Sequence, residues 1–287
     1  MQALYAQLLV GLINGSFYAL LSLGLAVIFG MLNIINFAHG AVYMMGAFCA
    51  YFLLSLAGIG YWPALIIAPI AVGIFGMILE RTMLQWLSGL DHLYGLLLTF
   101  GMALIIQGVF QNYFGSSGLP YAIPDELKGG MNLGFMFLPI YRGWVVVFSL
   151  VVCIATWYLI EKTRLGANLR AATENPTLVR AFGINVPRMI TLTYGFGVGL
   201  AAFAGVMAAP IYNVSPQMGS SLIIVVFAVV VIGGMGSIMG AVVTGFGLGV
   251  VEGLTKVFFP EASNTVIFVI MAIVLLVRPA GLFGRRA

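Results

Sequence analysis

Apolar residues run through this chain in blocks far longer than a soluble helix needs, and the places where the blocks break define its organisation. No Asp, Glu, Lys or Arg occurs before Glu80. At about 20 residues per bilayer crossing, that stretch holds three spans, placed near 5–30, 37–56 and 62–79. Gly58 to Pro63 breaks the run, and Tyr61 and Trp62 supply an interfacial aromatic pair there. A charged patch between Glu80 and His92 precedes spans near 93–112 and 144–160. Residues 113–143 between them carry Pro120, Pro124, Pro139, several glycines and four charges, the composition of a long aqueous loop. Residues 189–251 again lack any formal charge, which leaves room for three crossings, with breaks at 210–220 and 233–240. A last short span, near 263–277, ends at Arg278.

One long polar island, 161–188, interrupts the second half. It carries Lys162, Arg164, Arg170, Arg180 and Arg188 against Glu161 and Glu174. A single such charge at a bilayer centre costs ~2.5–3.5 kcal/mol, so the island lies in water. Within it Asn175 reads as an N-cap, Pro176 as the first helical residue and Gly183 as the stop. The spacing predicts a short helix over 176–182 with Leu178, Val179 and Phe182 clustered on one side, an apolar face that calls for lipid headgroups or a protein partner.

Composition sharpens the picture. Only 7% of the 287 residues are charged and 62% are hydrophobic, against about 25% charged in a soluble domain. The fold class is therefore an all-α integral membrane protein, a polytopic bundle forming one domain over 1–287. The net charge of +4 is spread too thinly for a nucleic-acid surface and is better read as topology. Arg81, the five basic residues of the island, Arg278, Arg285 and Arg286 fall on one side; Lys128, Arg142 and Lys256 fall on the other. The basic-rich side is expected to be cytoplasmic, making 161–188 a cytoplasmic loop and 113–143 an external one. Counting back gives about nine crossings, within a range of about 8–10, with the N-terminus outside and room for a broken or re-entrant segment at 33–40 or 233–240. The N-terminus lacks a basic n-region, so no cleavage is expected. Cys49 and Cys153 sit in apolar runs and read as packing residues.

Several positions stand out as candidates. Gly245, Gly249 and Gly253 form a GxxxGxxxG run that lets helix backbones approach closely in lipid, either inside this subunit or along a transport path or second subunit. Asn33, Asn36 and His39 are polar in an apolar stretch; they cap or bond a neighbouring helix, or flank a path or its gate. Gly233, Gly234, Gly236 and Ser237 form either a turn between helices or a break whose amides face a pore. Gln107, with Thr99 and Gln111, forms a polar stripe. Glu252 and Lys256 stand four apart, as in a local ion pair. With His39 and His92 the only histidines and no carboxylate near His39 in sequence, no metal site is expected.

The run RAATENPTLVRAFGIN, residues 170–185, resembles the cytoplasmic coupling loop of ABC-importer permeases, with Ala171-Ala172, Ala181 and Gly183-Ile184 on the family pattern and Pro176 departing from it. With the N-terminal GSFYALLSLGLAVIFGMLNIINFAHG and the later GGMGSIMGA, the chain resembles LivH-type permeases of branched-chain amino acid ABC importers across nearly its whole length. The resemblance implies a permease of the bacterial cytoplasmic membrane for branched-chain or other hydrophobic amino acids. Its implied partners are a second, LivM-like permease, two ATP-binding subunits and a periplasmic substrate-binding protein. Ala171, Ala172, Glu174, Asn175, Leu178, Val179, Ala181, Phe182, Gly183 and Ile184 would then face the ATPases. ATP and Mg would be bound by those partners: the chain has no GxxxxGK[ST] phosphate loop, no other cofactor motif, and no GxSxG or HExxH catalytic motif. Urea or short amides are an alternative cargo within the same family. A stand-alone secondary transporter or channel is the rival class, and it normally places an ionisable residue at mid-membrane; here only His39 and Glu252 are candidates.

Overall fold

The computed structural model describes residues 2–32, 36–87 and 90–284. Helix dominates: α1 (Gln2–Leu32), α2 (Ala38–Ala57), α3 (Tyr61–Thr82), α4 (His92–Phe114), α5 (Ile140–Lys162), α6 (Arg164–Glu174), α7 (Pro176–Ala181), α8 (Val186–Tyr212), α9 (Ser220–Gly233), α10 (Ile238–Phe258) and α11 (Val266–Val277). A two-stranded antiparallel hairpin, β1 (Gly130–Asn132) with β2 (Phe137–Pro139), lies in the 115–139 loop. Among the described residues seven helices are long and apolar enough to cross a membrane, and the chain is an all-α multi-pass membrane protein. Two more apolar helices, α9 and α11, have 14 and 12 residues. At 1.5 Å per residue they reach only about 20 Å, short of the ~30 Å apolar core. The last span thus starts at Val266 rather than at Ser263, and the fifth reaches back to Ile140 rather than to Trp144.

Small residues hold the bundle together. Lipid removes the hydrophobic drive for helix association, so close backbone approach supplies the contact energy instead. Along the α1–α10 seam Gly245 lies over Ala19, Gly249 over Gly11 and Gly15, and Gly253 over Gln7 and Gly11. The α8 helix is the central post: Gly197 meets Gly24 of α1, Ala202 meets Gly46 of α2, and Gly195 meets Gly73 of α3. On the outer side of α3, Ile66, Ile70, Ile74 and Ile78 are exposed. Their four-residue spacing makes one continuous stripe, suited to lipid.

The two ends of the bundle differ. Arg81 shares a surface cavity with Asn185 and Arg188, and Gly30 shares another with Glu161, Arg170 and Gly236. These contacts set the ends of α1, α3, α5 and α9 and the starts of α8 and α10 at one basic end. At the opposite end Tyr61, Trp62, Tyr141 and Trp144 form an aromatic cluster with centroids 5.5–5.9 Å apart. The Tyr141 hydroxyl donates to the Met207 carbonyl (2.8 Å) and is hydrogen-bonded with the Tyr61 hydroxyl (2.9 Å). The 115–139 loop folds over this end, where Trp62 Nε1 donates to Glu126 (3.3 Å).

Candidate functional site

The polar feature at the heart of the bundle is a break between α8 and α9. After Tyr212 the chain turns back inward, and Asn213 takes a positive φ (59°, with ψ 154°) that few residue types other than glycine adopt readily. Val214 then pairs with Leu119 of the 115–139 loop through two backbone hydrogen bonds of 2.8 Å. Gly219 is pressed against Gly40, at the start of α2. From there α9 begins level with the middle of α1: Leu222 packs against the cluster that contains Tyr18 and lines one cavity with it, and the Ser22 hydroxyl donates to the Val226 carbonyl (3.5 Å). A helix that starts halfway through the bundle is a half-helix, and residues 213–219 are a re-entrant segment.

This break opens a recess of about 400 Å3, within the range of small-molecule sites. Its polar lining comes from Asn14 and Tyr18 of α1, Tyr43 of α2, Tyr212 of α8, and Ser215, Gln217 and Ser221 around the break. Phe17, Met218 and Leu222 supply the apolar part. None of these side chains carries a full charge. The Tyr212 hydroxyl donates to Asn14 Oδ1 (3.0 Å). Tyr18 donates to Glu252 Oε2 (2.7 Å), whose other oxygen takes the Lys256 ammonium, so the pair 252/256 has a third member on α1. Ser220 and Ser221 are exposed at the rim, and exposed polar groups at this depth require water or protein rather than lipid.

The sequence candidates are dispersed around this recess. Asn33 lies outside the described residues. Asn36 and His39 are fully enclosed: Asn36 Nδ2 donates to the Tyr194 hydroxyl (2.9 Å), and His39 Nε2 contacts the Leu21 carbonyl (3.0 Å). Both brace the start of α2 against α1 and α8, and neither lines the recess. Thr99 is buried and accepts from the Phe37 amide (3.2 Å), whereas Gln107 is half-buried further along α4 and Gln111 exposed, so the three do not form one site. Gly233, Gly234, Gly236 and Ser237 form a tight turn at the basic end. Gly234 and Gly236 have φ of 101° and 83°, and Ser237 caps α10 by accepting from the Gly240 amide (3.1 Å). The break at half-depth is therefore at 213–219, not at 233–240. A break at 210–220 is legible in the sequence; its depth is not.

The basic end carries a second feature. Asn175 Oδ1 accepts from the Leu178 amide (3.0 Å), Pro176 opens α7, and Gly183 ends it at φ 81°. The island also contains α6, anchored where the Arg170 guanidinium donates to the Ile160 carbonyl (3.0 Å) and pairs with Glu161. One expectation is corrected: Leu178, Val179 and Phe182 do not share a face. Val179 is buried with Ala172 and Val186, while Leu178 and Phe182 are 55% and 77% exposed. Ala171, Glu174, Asn175, Ala181 and Gly183 are exposed beside them and Ile184 is half-buried, so α7 presents two bare apolar side chains among small and polar neighbours. In the loop at the opposite end, Lys128 holds the Asp125 carboxyl below its usual range, and burial pushes the Tyr121 phenol up to about 12.

Seven long apolar helices among the described residues, a half-helix opening on a neutral polar recess and a protruding capped rod are the architecture of a membrane transport component. Comparison agrees. The family described as "Branched-chain amino acid transport system / permease component" matches residues 7–275, and the chain belongs to that family. It is 33% identical to the Pseudomonas aeruginosa high-affinity branched-chain amino acid transport system permease protein BraD, over 97% of this chain and 95% of that one. It is 30% identical to LivH of Salmonella typhimurium over the same shares. With LivM of Escherichia coli it shares 27% identity over 92% of this chain and 67% of that protein.

Proposed function

We propose that this chain is the permease subunit of an ABC importer that carries branched-chain or other hydrophobic amino acids across the cytoplasmic membrane. A second permease resembling LivM completes the path, ATPase subunits sit against α7, and a soluble receptor delivers substrate at the opposite end. The observation that carries this reading is α9. A half-helix whose polar start faces a recess at mid-depth gives an uncharged pathway through an apolar bundle, as in transporters built on discontinuous helices.

The driving force comes from outside the chain. Among the described residues that line the recess there is no carboxylate or histidine; Glu252, bonded by Tyr18 at its edge, is paired with Lys256, which disfavours ion or proton coupling. Leu178 and Phe182 supply the apolar contact that a docking ATPase needs, and Val179 ties the rod to α6 and α8 so that a push on α7 is transmitted to the spans. The similarity to both LivH and LivM supports a paired permease, because both kinds of relative match this chain over most of its length.

Reconstitution tests this reading. Vesicles holding the chain with its partner permease, ATPase subunits and receptor should accumulate leucine only with ATP inside. Leucine flux through vesicles holding this chain alone, or absence of ATPase subunits from the purified assembly, would sink it.

A further inference from the structure

We propose that the recess at the start of α9 is a binding site for the carboxylate of an α-amino acid, so that this subunit itself reads the substrate's head group while leaving its side chain unspecified. The proposal rests on the transport reading above and adds where, and by which atoms, the substrate is held.

Four observations converge on the same wall. The first turn of α9 supplies Ser221 and Leu222 to the lining, so the positive end of a 14-residue helix lies at the recess and can stabilise an anion there. That turn is loosely satisfied: the Ser221 and Leu222 amides reach carbonyls only at 3.4 and 3.3 Å, and the Ser220 amide has no carbonyl partner among the described residues. Tyr43, 1% exposed, forms the facing wall from α2, and its hydroxyl has no hydrogen-bond partner. A buried, unpaired phenol costs free energy unless a ligand completes it. The side-chain amides of Asn14 and Gln217 add further neutral donors to the same lining.

The charge balance selects the ligand. Among the described lining residues there is no lysine or arginine, and the one arginine whose charge is felt at Tyr212, Arg142, stands outside the lining, so a phosphate or a dicarboxylate would find too little compensation there. A single carboxylate matches a helix N-terminus and neutral donors. The accompanying ammonium has acceptors nearby in Asn14 Oδ1 and the serine oxygens, whose hydrogens are directed to the Gln217 and Met218 carbonyls at 2.9 and 3.2 Å. Phe17, Met218 and Leu222 leave an apolar remainder with no polar group to discriminate among aliphatic side chains. Selection among Leu, Ile and Val then falls to another component, while the permease excludes molecules that lack the carboxylate.

The test uses the assembled transporter, permease pair plus ATPase subunits in lipid nanodiscs without receptor, and radiolabelled leucine as probe. Leucinamide, which lacks the carboxylate, should compete at least about tenfold more weakly than leucine, and 4-methylpentanoate, which keeps it, should compete. Tyr43→Phe should weaken leucine binding about fivefold, and Ser221→Asp, at an exposed position, should abolish it while the subunits still co-purify. Equal competition by leucinamide, no leucine binding to the wild-type assembly, or unchanged binding in both variants would overturn the proposal. Should ATP-driven uptake persist alongside any of those results, only this inference falls; loss of ATPase association and of uptake in the wild type removes the transport reading instead.

Discussion

Gly40 and Gly219 meet backbone to backbone: a Cβ on Gly40 would lie 2.6 Å from the Gly219 carbonyl oxygen. This contact sets the depth at which α9 begins, and so joins α2 to the re-entrant segment and the segment to the recess. A methyl group at either glycine must push the two apart. Overpacking of this kind costs about 1–3 kcal/mol. Gly40→Ala is expected to lower the thermal stability of the detergent-purified chain by a few degrees and to reduce uptake in reconstituted vesicles more strongly than it reduces subunit association. An unchanged melting temperature with full uptake would show that the approach is not needed.

Two glycines of α10, two residues apart and so on nearly opposite sides of the helix, should behave oppositely. Gly249 lies against the Gly11 and Gly15 backbones, whereas Gly247 is exposed with nothing near its Cα hydrogen. Gly249→Leu is expected to open the α1–α10 seam and abolish folded protein in size-exclusion profiles. Gly247→Ala should be neutral or stabilising by up to about 1 kcal/mol, the helix-propensity difference. Thermal scans of both variants decide the matter.

The triad of buried Tyr18 and Glu252 with partly exposed Lys256 makes a third prediction. Glu252→Leu leaves the Lys256 charge and the Tyr18 hydroxyl without their partner, at a cost on the order of 1–3 kcal/mol. Adding Lys256→Met to it should recover most of that loss, because removing both charges is far cheaper than stranding one. A double variant no more stable than the single one, by denaturation in detergent, would argue against a coupled pair.

On the α7 rod, Phe182→Asp is expected to cut ATPase co-purification at least about tenfold without changing the melting temperature, since that ring is 77% exposed and its loss leaves no cavity. Val179→Asp places a charge between Ala172 and Val186 and should destabilise the loop itself. Equal ATPase recovery with Phe182→Asp and wild type would move the docking surface elsewhere.

How much of this was legible depended on whether the signal was local. The rod was: Asn175, Pro176 and Gly183 each specify a helix boundary through their own backbone or side chain, and the structure ends α7 one residue before the predicted limit. The α6 helix carries no local signal, because Arg164 to Glu174 has no apolar run, and it is held by tertiary contacts of Leu169, Arg170 and Ala172. The inward turn of Val179 likewise depends on Ala172 and Val186, which a helical projection of α7 alone does not contain. The recess was the least legible. Residues 222–232 read as an ordinary apolar run, and only the pairing of Leu119 with Val214 and the meeting of Gly40 with Gly219, both far apart in sequence, place the start of that run at half-depth.

Water accessibility at Ser221 tests the central claim most directly. In a variant with Cys49→Ala and Cys153→Ala, a single Ser221→Cys in the membrane-embedded transporter should react with a small charged thiol reagent, and Ile70→Cys on the outer stripe of α3 should stay inert. Labelling at Ser221→Cys and its protection by leucine are the expected result; an unreactive thiol there, with the assembly intact and transporting, would contradict a polar opening halfway through the bundle.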